Sequence, residues 1–340
     1  MTAAPDRRAL SDAFVEDAGW AQALRRPLAG DASDRRYERL SRGAETAVLM
    51  DAPPGKGDDP ADFIRIAEHL ASLGLSPPRI LARDLENGFL LLEDLGDRLV
   101  ARESTDSGQE RALYRLAVDV LVTVQASPAP PGLSDLTVEE WADAACFAPD
   151  WYRFAAIGNP GDRLAFRAEL AKVLAAHADG PRVLILRDYH AENLLWLPAR
   201  KGVAAMGLLD FQLGQMGQPG YDLVSLLQDA RRDVPAVLER DMIRHFVAAK
   251  GLDAQAFAMG YAVLGVQRAL RIMGIFARLC LKAGKPGYLH LLPRVWGQLQ
   301  RNLAHPALEE LRRICDTLLP EPTPDIITRI GAQCGTFPHR

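Results

Sequence analysis

Three oxygen-bearing side chains within one short stretch could carry chemistry: Asp188, Asn193 and Asp210. The stretch opens with the apolar run Val183-Leu-Ile-Leu186. It continues through Arg187-Asp188-Tyr-His190-Ala-Glu192-Asn193 into a second apolar run, Leu194 to Leu197. A Pro-Ala-Arg-Lys-Gly turn follows, then Val203 to Leu209, ending at Asp210-Phe-Gln212. An apolar strand thus delivers Asp188 into a polar loop. With the turn centred near Lys201-Gly202, antiparallel pairing is expected to set Asn193 opposite Asp210 at the open end of a hairpin. An amide oxygen and a carboxylate together suit a hard cation such as Mg²⁺, and a nearby carboxylate suits activation of a hydroxyl. Taken singly, Asp188 could cap a turn while Asn193 and Asp210 merely end strands. The three at this spacing favour a site.

The flanking sequence supplies the elements that must hold this segment. Tyr37 to Leu40 and Thr46 to Met50 read as two strands around a Ser41-Arg-Gly-Ala turn, and Gly88 to Glu93 reads as a buried strand. Phe63, Ile66, Ala67 and Leu70 repeat at helical spacing over Asp62 to Leu73, with Gly74 as C-cap. From Glu110 onward the pattern is mainly helical: Glu110–Gln125, Val138–Ala144, Arg163–Ala176, Leu223–Arg231, Ala236–Ala249, Ala256–Ala283 and Leu289–Leu303. The expected fold is therefore α+β and bilobal. A small β-rich lobe spans 1–95, and a larger, mainly helical lobe spans 96–340.

Composition narrows the function classes. The chain has 340 residues, 48% hydrophobic and 25% charged, which is the profile of a globular protein. A net charge of −4 with scattered Arg pairs argues against nucleic acid as partner, which calls for a basic face. The cysteines 146, 280, 315 and 334 form no CxxC pair, so neither a zinc site nor a redox dithiol is expected. The N-terminal residues lack the apolar core of a signal peptide, and Ala262–Leu281 carries three arginines, too many for a membrane span. A cytoplasmic protein without a membrane partner is the expectation. Of its 40 basic residues only six are Lys, the first being Lys56.

The D-x-x-x-x-N and D-F-x elements resemble the catalytic and metal-binding loops of kinase-like phosphotransferases. With Gly217-Gln-Pro-Gly-Tyr-Asp222 downstream, the chain is similar to the aminoglycoside phosphotransferase and choline kinase superfamily. Gly30-Asp-Ala-Ser-Asp-Arg-Arg-Tyr37, Met50-Asp-Ala-Pro-Pro54 and Gly274-Ile-Phe-Ala-Arg-Leu279 resemble the bacterial cell-wall sugar kinases within it. The resemblance implies an ATP-dependent kinase for the anomeric hydroxyl of N-acetylmuramate or N-acetylglucosamine. Asp188 would orient the acceptor, and Asn193 and Asp210 would hold Mg²⁺ against the ATP phosphates. The Glu93 and Leu95 backbone would meet adenine at the interlobe hinge. Asp222 would brace the catalytic loop or cap the helix after it. His190 reads equally as a backbone-bonding group and as a substrate contact. Glu192, Asp229 and Arg231 are further groups that could meet the sugar, and Arg187 stands beside them. Trp141, Phe147, Trp151 and Tyr152 read as core with a possible stacking face. A kinase for another acceptor (an aminoglycoside, a choline-like amine or another sugar) and a nucleotide-binding pseudokinase are the rival readings.

The sequence departs from the resemblance at two positions. Leu186 stands where many relatives have His. Met50 stands where kinase-like proteins place a phosphate-binding Lys on a strand. A triphosphate needs a cation, and the replacements on offer are Arg35, Arg36 and Lys56. Arg36 is the preferred one, aided by the Ser33 hydroxyl and turn amides of Gly30–Ser33. Glu68, on the helix that follows, reads as part of a solvated face.

Overall fold

The structure, a computed structural model, describes residues 6–28, 35–57 and 59–337. Ser33 and the turn of residues 30–33 lie outside the described residues. Along the chain the elements are α1 (Arg7–Asp17), β1 (Leu24–Leu28), β2 (Arg36–Arg42), β3 (Glu45–Asp51), α2 (Pro60–Ser72), β4 (Ile80–Asp84) and β5 (Phe89–Glu93). Next come α3 (Val100–Glu103), α4 (Ser107–Val124), α5 (Val138–Ala145), α6 (Phe154–Ile157), α7 (Arg163–His177), β6 (Val183–Ile185), β7 (Leu194–Trp196), β8 (Met206–Leu208) and β9 (Gln215–Gly217). The remainder is helical: α8 (Tyr221–Leu227), α9 (Ala236–Lys250), α10 (Ala254–Ala283), α11 (Leu292–Leu303), α12 (Glu309–Leu318) and α13 (Pro324–Gly331). An antiparallel sheet with a mainly helical remainder is the α+β, kinase-like class expected.

Contacts divide the chain into two compact units, one of residues 1–132 with 186–214, the other of 133–185 with 215–340. This differs from the expected single cut near residue 95. The loops bearing Asp188, Asn193 and Asp210 close onto the first unit by hydrogen bonds: Ala101 N–H to the Ala191 carbonyl, Trp196 N–H to that of Arg98, and Leu208 N–H to that of Ser76.

In the first unit the sheet order is β1-β2-β3-β5-β4. Pro27, which donates no hydrogen bond, is accommodated because β1 is an edge. Side chains alternate across the sheet. One face packs Leu40, Ala47, Leu49, Phe89 and Leu91 against Phe14, Val15 and Trp20 from α1 and its C-terminal turn. The other face presents Tyr37 and Arg39 from β2, Val48 and Met50 from β3, and Leu90 and Leu92 from β5. Gly88 must be glycine: its φ is +74°, and a Cβ there would sit 2.0 Å from the Ala52 carbonyl oxygen. The elements absent from the sequence reading are α1, β1, β4, α3, α6, β9, α12 and α13.

The second unit is built on α10, whose residues Tyr261–Leu270 are all buried. Gly274 permits this packing, since a Cβ would lie 2.1 Å from the Phe147 backbone. Trp141 and Tyr152 are core, as expected. Trp141 packs on Tyr221 with centroids 5.0 Å apart, and the Tyr152 hydroxyl donates to the Pro320 carbonyl. No helix among the described residues is long and apolar enough to cross a membrane.

Candidate active site

The hairpin register differs by one residue from expectation. Leu194 pairs with Leu208 and Trp196 with Met206, so Asn193 opposes Leu209, whose N–H donates to the Asn193 carbonyl. The reason is the connection, where Gly202–Ala205 forms a 3₁₀ turn that absorbs residues expected in the strand. Asp210 therefore lies one position beyond the pairing. It adopts φ +54°, and Arg187 adopts φ +71°. These are the only non-glycine residues with positive φ among those described. Both flank the expected catalytic positions, where sparsely populated backbone geometry is a signature of function.

Asn193 is held in one orientation. Its amide nitrogen donates to the Asp188 carbonyl at 2.9 Å and lies 3.4 Å from His190 Nε2, leaving the amide oxygen for another partner. His190, 4% exposed, thus braces the loop from within. Asp188 is half-buried, and its carboxylate makes no hydrogen bond or ion pair among the described residues. Asp210 Oδ1 accepts from Gln212 Nε2 at 2.7 Å and lies 3.5 Å from an Arg35 guanidinium nitrogen. Phe211 between them is fully buried, its ring stacked on Phe63 of α2 with centroids 4.8 Å apart, which fixes the loop to the helix. The sequence reading gave neither Gln212 nor Phe63 a role at the site. The apolar position at 63 was legible, its partner was not.

Asn193 and Asp210 line a cavity of about 400 Å³ contained within the first unit. Its apolar walls include Val48, Leu92, Leu195 and Leu209, and its far end is formed by Glu93, Asp94, Leu95 and Gly96. The Leu95 N–H and C=O make no hydrogen bond among the described residues, so this extended segment offers a donor and an acceptor to a planar heterocycle. The Glu93 side chain is engaged elsewhere, with Arg200 at 2.7 Å and Arg79 at 3.2 Å. Arg39 spans this end: it meets Asp97 at 2.7 and 2.9 Å and Asp94 at 2.8 and 3.0 Å. The Asp97 contact chiefly, then Asp94, raises the guanidinium pKa, and Arg39 in return holds the Asp97 carboxyl below its ordinary value.

The expected cations separate by strand parity. Arg35 lines the cavity with Tyr37 and Arg39, and its side chain is 6% exposed. Arg36 points to the opposite face, into a polar recess shared with Arg7, Arg8 and Glu38 beside α1. Arg36, the preferred cation, therefore does not line this cavity while its neighbour Arg35 does, because one residue along a strand is the other side of the sheet. Met50 is buried on the cavity side of β3, opposite Tyr37. Lys56 is exposed in its loop and does not line the cavity. Glu68 is exposed and meets only Arg83, at 3.8 Å, as expected of a solvated face. Glu192 is exposed.

The remaining candidates belong to the second unit. Asp222 is fully buried within the first turn of α8, and the N-cap position is Gly220, so the capping reading of Asp222 fails. Asp229 is buried, with one carboxylate oxygen accepting from the Arg231 N–H and the other without a hydrogen bond. Burial pushes its pKa up against the pull of that N–H and the nearby arginines.

The donor set fits Mg²⁺ held jointly with a phosphate. Among the described residues no group of three His, Cys, Asp or Glu could hold a metal. One amide oxygen and one carboxylate, in a cleft open to a phosphate and water, match a cation that keeps much of its shell from other sources.

Residues 25–257 match the family model described as "Phosphotransferase enzyme family". A Caulobacter vibrioides protein named N-acetylmuramate/N-acetylglucosamine kinase is 37% identical, covering 95% of this chain and 99% of that protein. A Pseudomonas aeruginosa protein of the same name is 35% identical, covering 91% and 93%. Among solved structures, a choline/ethanolamine kinase family protein from Mesorhizobium loti aligns with a TM-score of 0.62 at 15% identity, covering 96% of this chain and all of that one.

Proposed function

The chain belongs to the phosphotransferase enzyme family, and from that premise we propose that it transfers the γ-phosphoryl group of ATP to the anomeric hydroxyl of N-acetylmuramate or N-acetylglucosamine. The names of the relatives support the acceptor class. The observation that carries the chemistry is the half-buried Asp188 carboxylate, which has no partner among the described residues, on a residue whose backbone carbonyl accepts from the amide of Asn193 in the cavity wall.

In this reading Asp188 accepts a hydrogen bond from the acceptor hydroxyl and orients its oxygen toward the γ-phosphorus. The new O–P bond forms as the bond to the β–γ bridging oxygen breaks. ADP departs, and the hydroxyl proton passes to Asp188. Asn193 and Asp210 would hold Mg²⁺, which neutralises phosphate charge when bound. The Leu95 backbone pairs with adenine while Val48 and Leu195 enclose the ring. His190 and Phe211 hold the two loops in register, so that positioning rather than covalent chemistry supplies the rate. A cytoplasmic setting, where ATP is supplied, belongs to the proposal.

The test is incubation of the purified protein with Mg·ATP and a panel of amino sugars, aminoglycosides and choline, with products read by ³¹P and ¹³C NMR. Phosphate on C1 of the N-acetylated sugars is expected. Phosphate on another acceptor alone, or at another carbon, would overturn the assignment.

A further inference from the structure

A cavity that takes a triphosphate has to supply positive charge, and within the first unit its cationic lining is Arg35, Arg39 and Arg102. Arg39 is committed to Asp94 and Asp97 through four short contacts at the Leu95 end. Arg102 is exposed on α3, near the same end. The wall at Met50 is apolar. Arg35 differs from all of these. It immediately precedes β2 and lines the cavity, only 6% of its side chain is exposed, and it reaches Asp210 at 3.5 Å. It is thus a buried, permanently charged fork beside the proposed metal ligand.

We propose that Arg35 is the residue that binds the terminal phosphates of the nucleotide, taking over electrostatically the role left empty by Met50. Without nucleotide its guanidinium faces the Asp210 carboxylate. When nucleotide enters, the carboxylate turns its charge to the cation and Arg35 meets the phosphate oxygens. A guanidinium suits both states, because its planar array of N–H donors matches carboxylate and phosphate alike and stays charged at any working pH. The inference rests on the kinase reading above and adds the anchor to it.

The experiment compares affinities for ATP, ADP and adenosine, with and without Mg²⁺, by calorimetry on the full chain. The proteins are the unaltered one, Arg35→Met, Arg35→Lys, Arg36→Met, and the double variant Arg35→Met/Met50→Lys, each checked by thermal unfolding. Arg35→Met is expected to weaken ATP and ADP roughly 10- to 100-fold, the value of charged hydrogen bonds to phosphate, while adenosine binding holds. Arg35→Lys should fall between, Arg36→Met should match the unaltered protein, and the lysine at position 50 should restore part of the loss. Unchanged ATP affinity in Arg35→Met overturns the proposal, and so does an equal loss for ATP and adenosine, which would mark a merely structural role. Should Arg35→Met not fold, the ratio of ATP to adenosine affinity in Arg35→Lys decides: unchanged from the unaltered protein, it also overturns the proposal. Failure of the unaltered chain to bind Mg·ATP would instead sink the kinase reading itself.

Discussion

The two ends of the cavity use the same residue types in opposite ways. At the Leu95 end, Arg39, Asp94 and Asp97 close their charges on one another at 2.7–3.0 Å, and Glu93 is held by Arg200 and Arg79. At the other end the Arg35–Asp210 contact is 3.5 Å, and on the loop before Asn193 the Asp188 carboxylate has no partner among the described residues. Arg187 and Asp210 there occupy the left-handed region. Charges satisfied within the fold stabilise it and have little left for a ligand. The Asp188 carboxylate, held on its loop without a partner among the described residues, is left for a ligand, and the packing of Phe211 and the brace of His190 hold the two loops around it. The contrast also says that burial alone does not mark function, since Asp94 at the tight end is as well covered as the residues at the loose one.

The contrast can be broken in order of expected effect. Asp188→Asn should leave Mg·ATP binding within about twofold and lower turnover by roughly 10²- to 10⁴-fold, the range for loss of a positioned base; steady-state kinetics with calorimetry would check it, and retained turnover would break the assignment. Asp210→Asn should raise the Mg²⁺ concentration needed for half-maximal activity by at least about tenfold, read from a Mg²⁺ titration at fixed ATP, without lowering the melting temperature. An unchanged requirement would remove Asp210 from the metal site. Arg39→Ala should behave in the reverse sense. It leaves two carboxylates facing each other and should destabilise by about 1–2 kcal/mol in denaturant unfolding, with kcat changed far less than in Asp188→Asn. The smallest effect concerns pH. Arg39 depresses the Asp97 pKa, so the pair's contribution is present above the unfolded carboxylate value near pH 4 and is lost as pH falls through the lower folded value. The stability gap between the unaltered protein and Arg39→Ala should therefore narrow below about pH 4, only modestly because the Asp97 side chain is 71% exposed. A gap independent of pH would show that the clamp is not electrostatic.

Legibility in the sequence followed the range of the interactions. The helices that were read were readable because their apolar stripes are local, as at Phe63, Ile66 and Leu70, whereas α1, α12 and α13 were missed. The strand from Phe89 was readable because it is apolar on both faces. By contrast β1, Leu-Arg-Arg-Pro-Leu, is polar and carries a proline, and only pairing with β2 makes it a strand. β9 is three residues whose pairing with Val183–Ile185 joins segments distant in the chain. At the site, the residue types at 188, 193 and 210 and the segment after β5 that lines the cavity at Leu95 were legible. The hairpin register was not, because a 3₁₀ turn at Gly202–Ala205 stands where the strand from Val203 was expected to begin. Arg36 was preferred over Arg35 because adjacent arginines are equivalent until a strand assigns them faces.

The order of residues alone determined that Asp188, Asn193 and Asp210 would come together on two loops joined by a hairpin, since sequence-local strands leave them few alternatives. It also determined that no lysine could stand at Met50. Only the tertiary structure decided which arginine lines the cavity and which carboxylates are engaged by arginine. Both depend on the parity of β2 against β3 and on how the loop at 94–97 approaches Arg39. These are contacts between segments far apart in the chain, and their geometry is set by packing rather than by any local propensity.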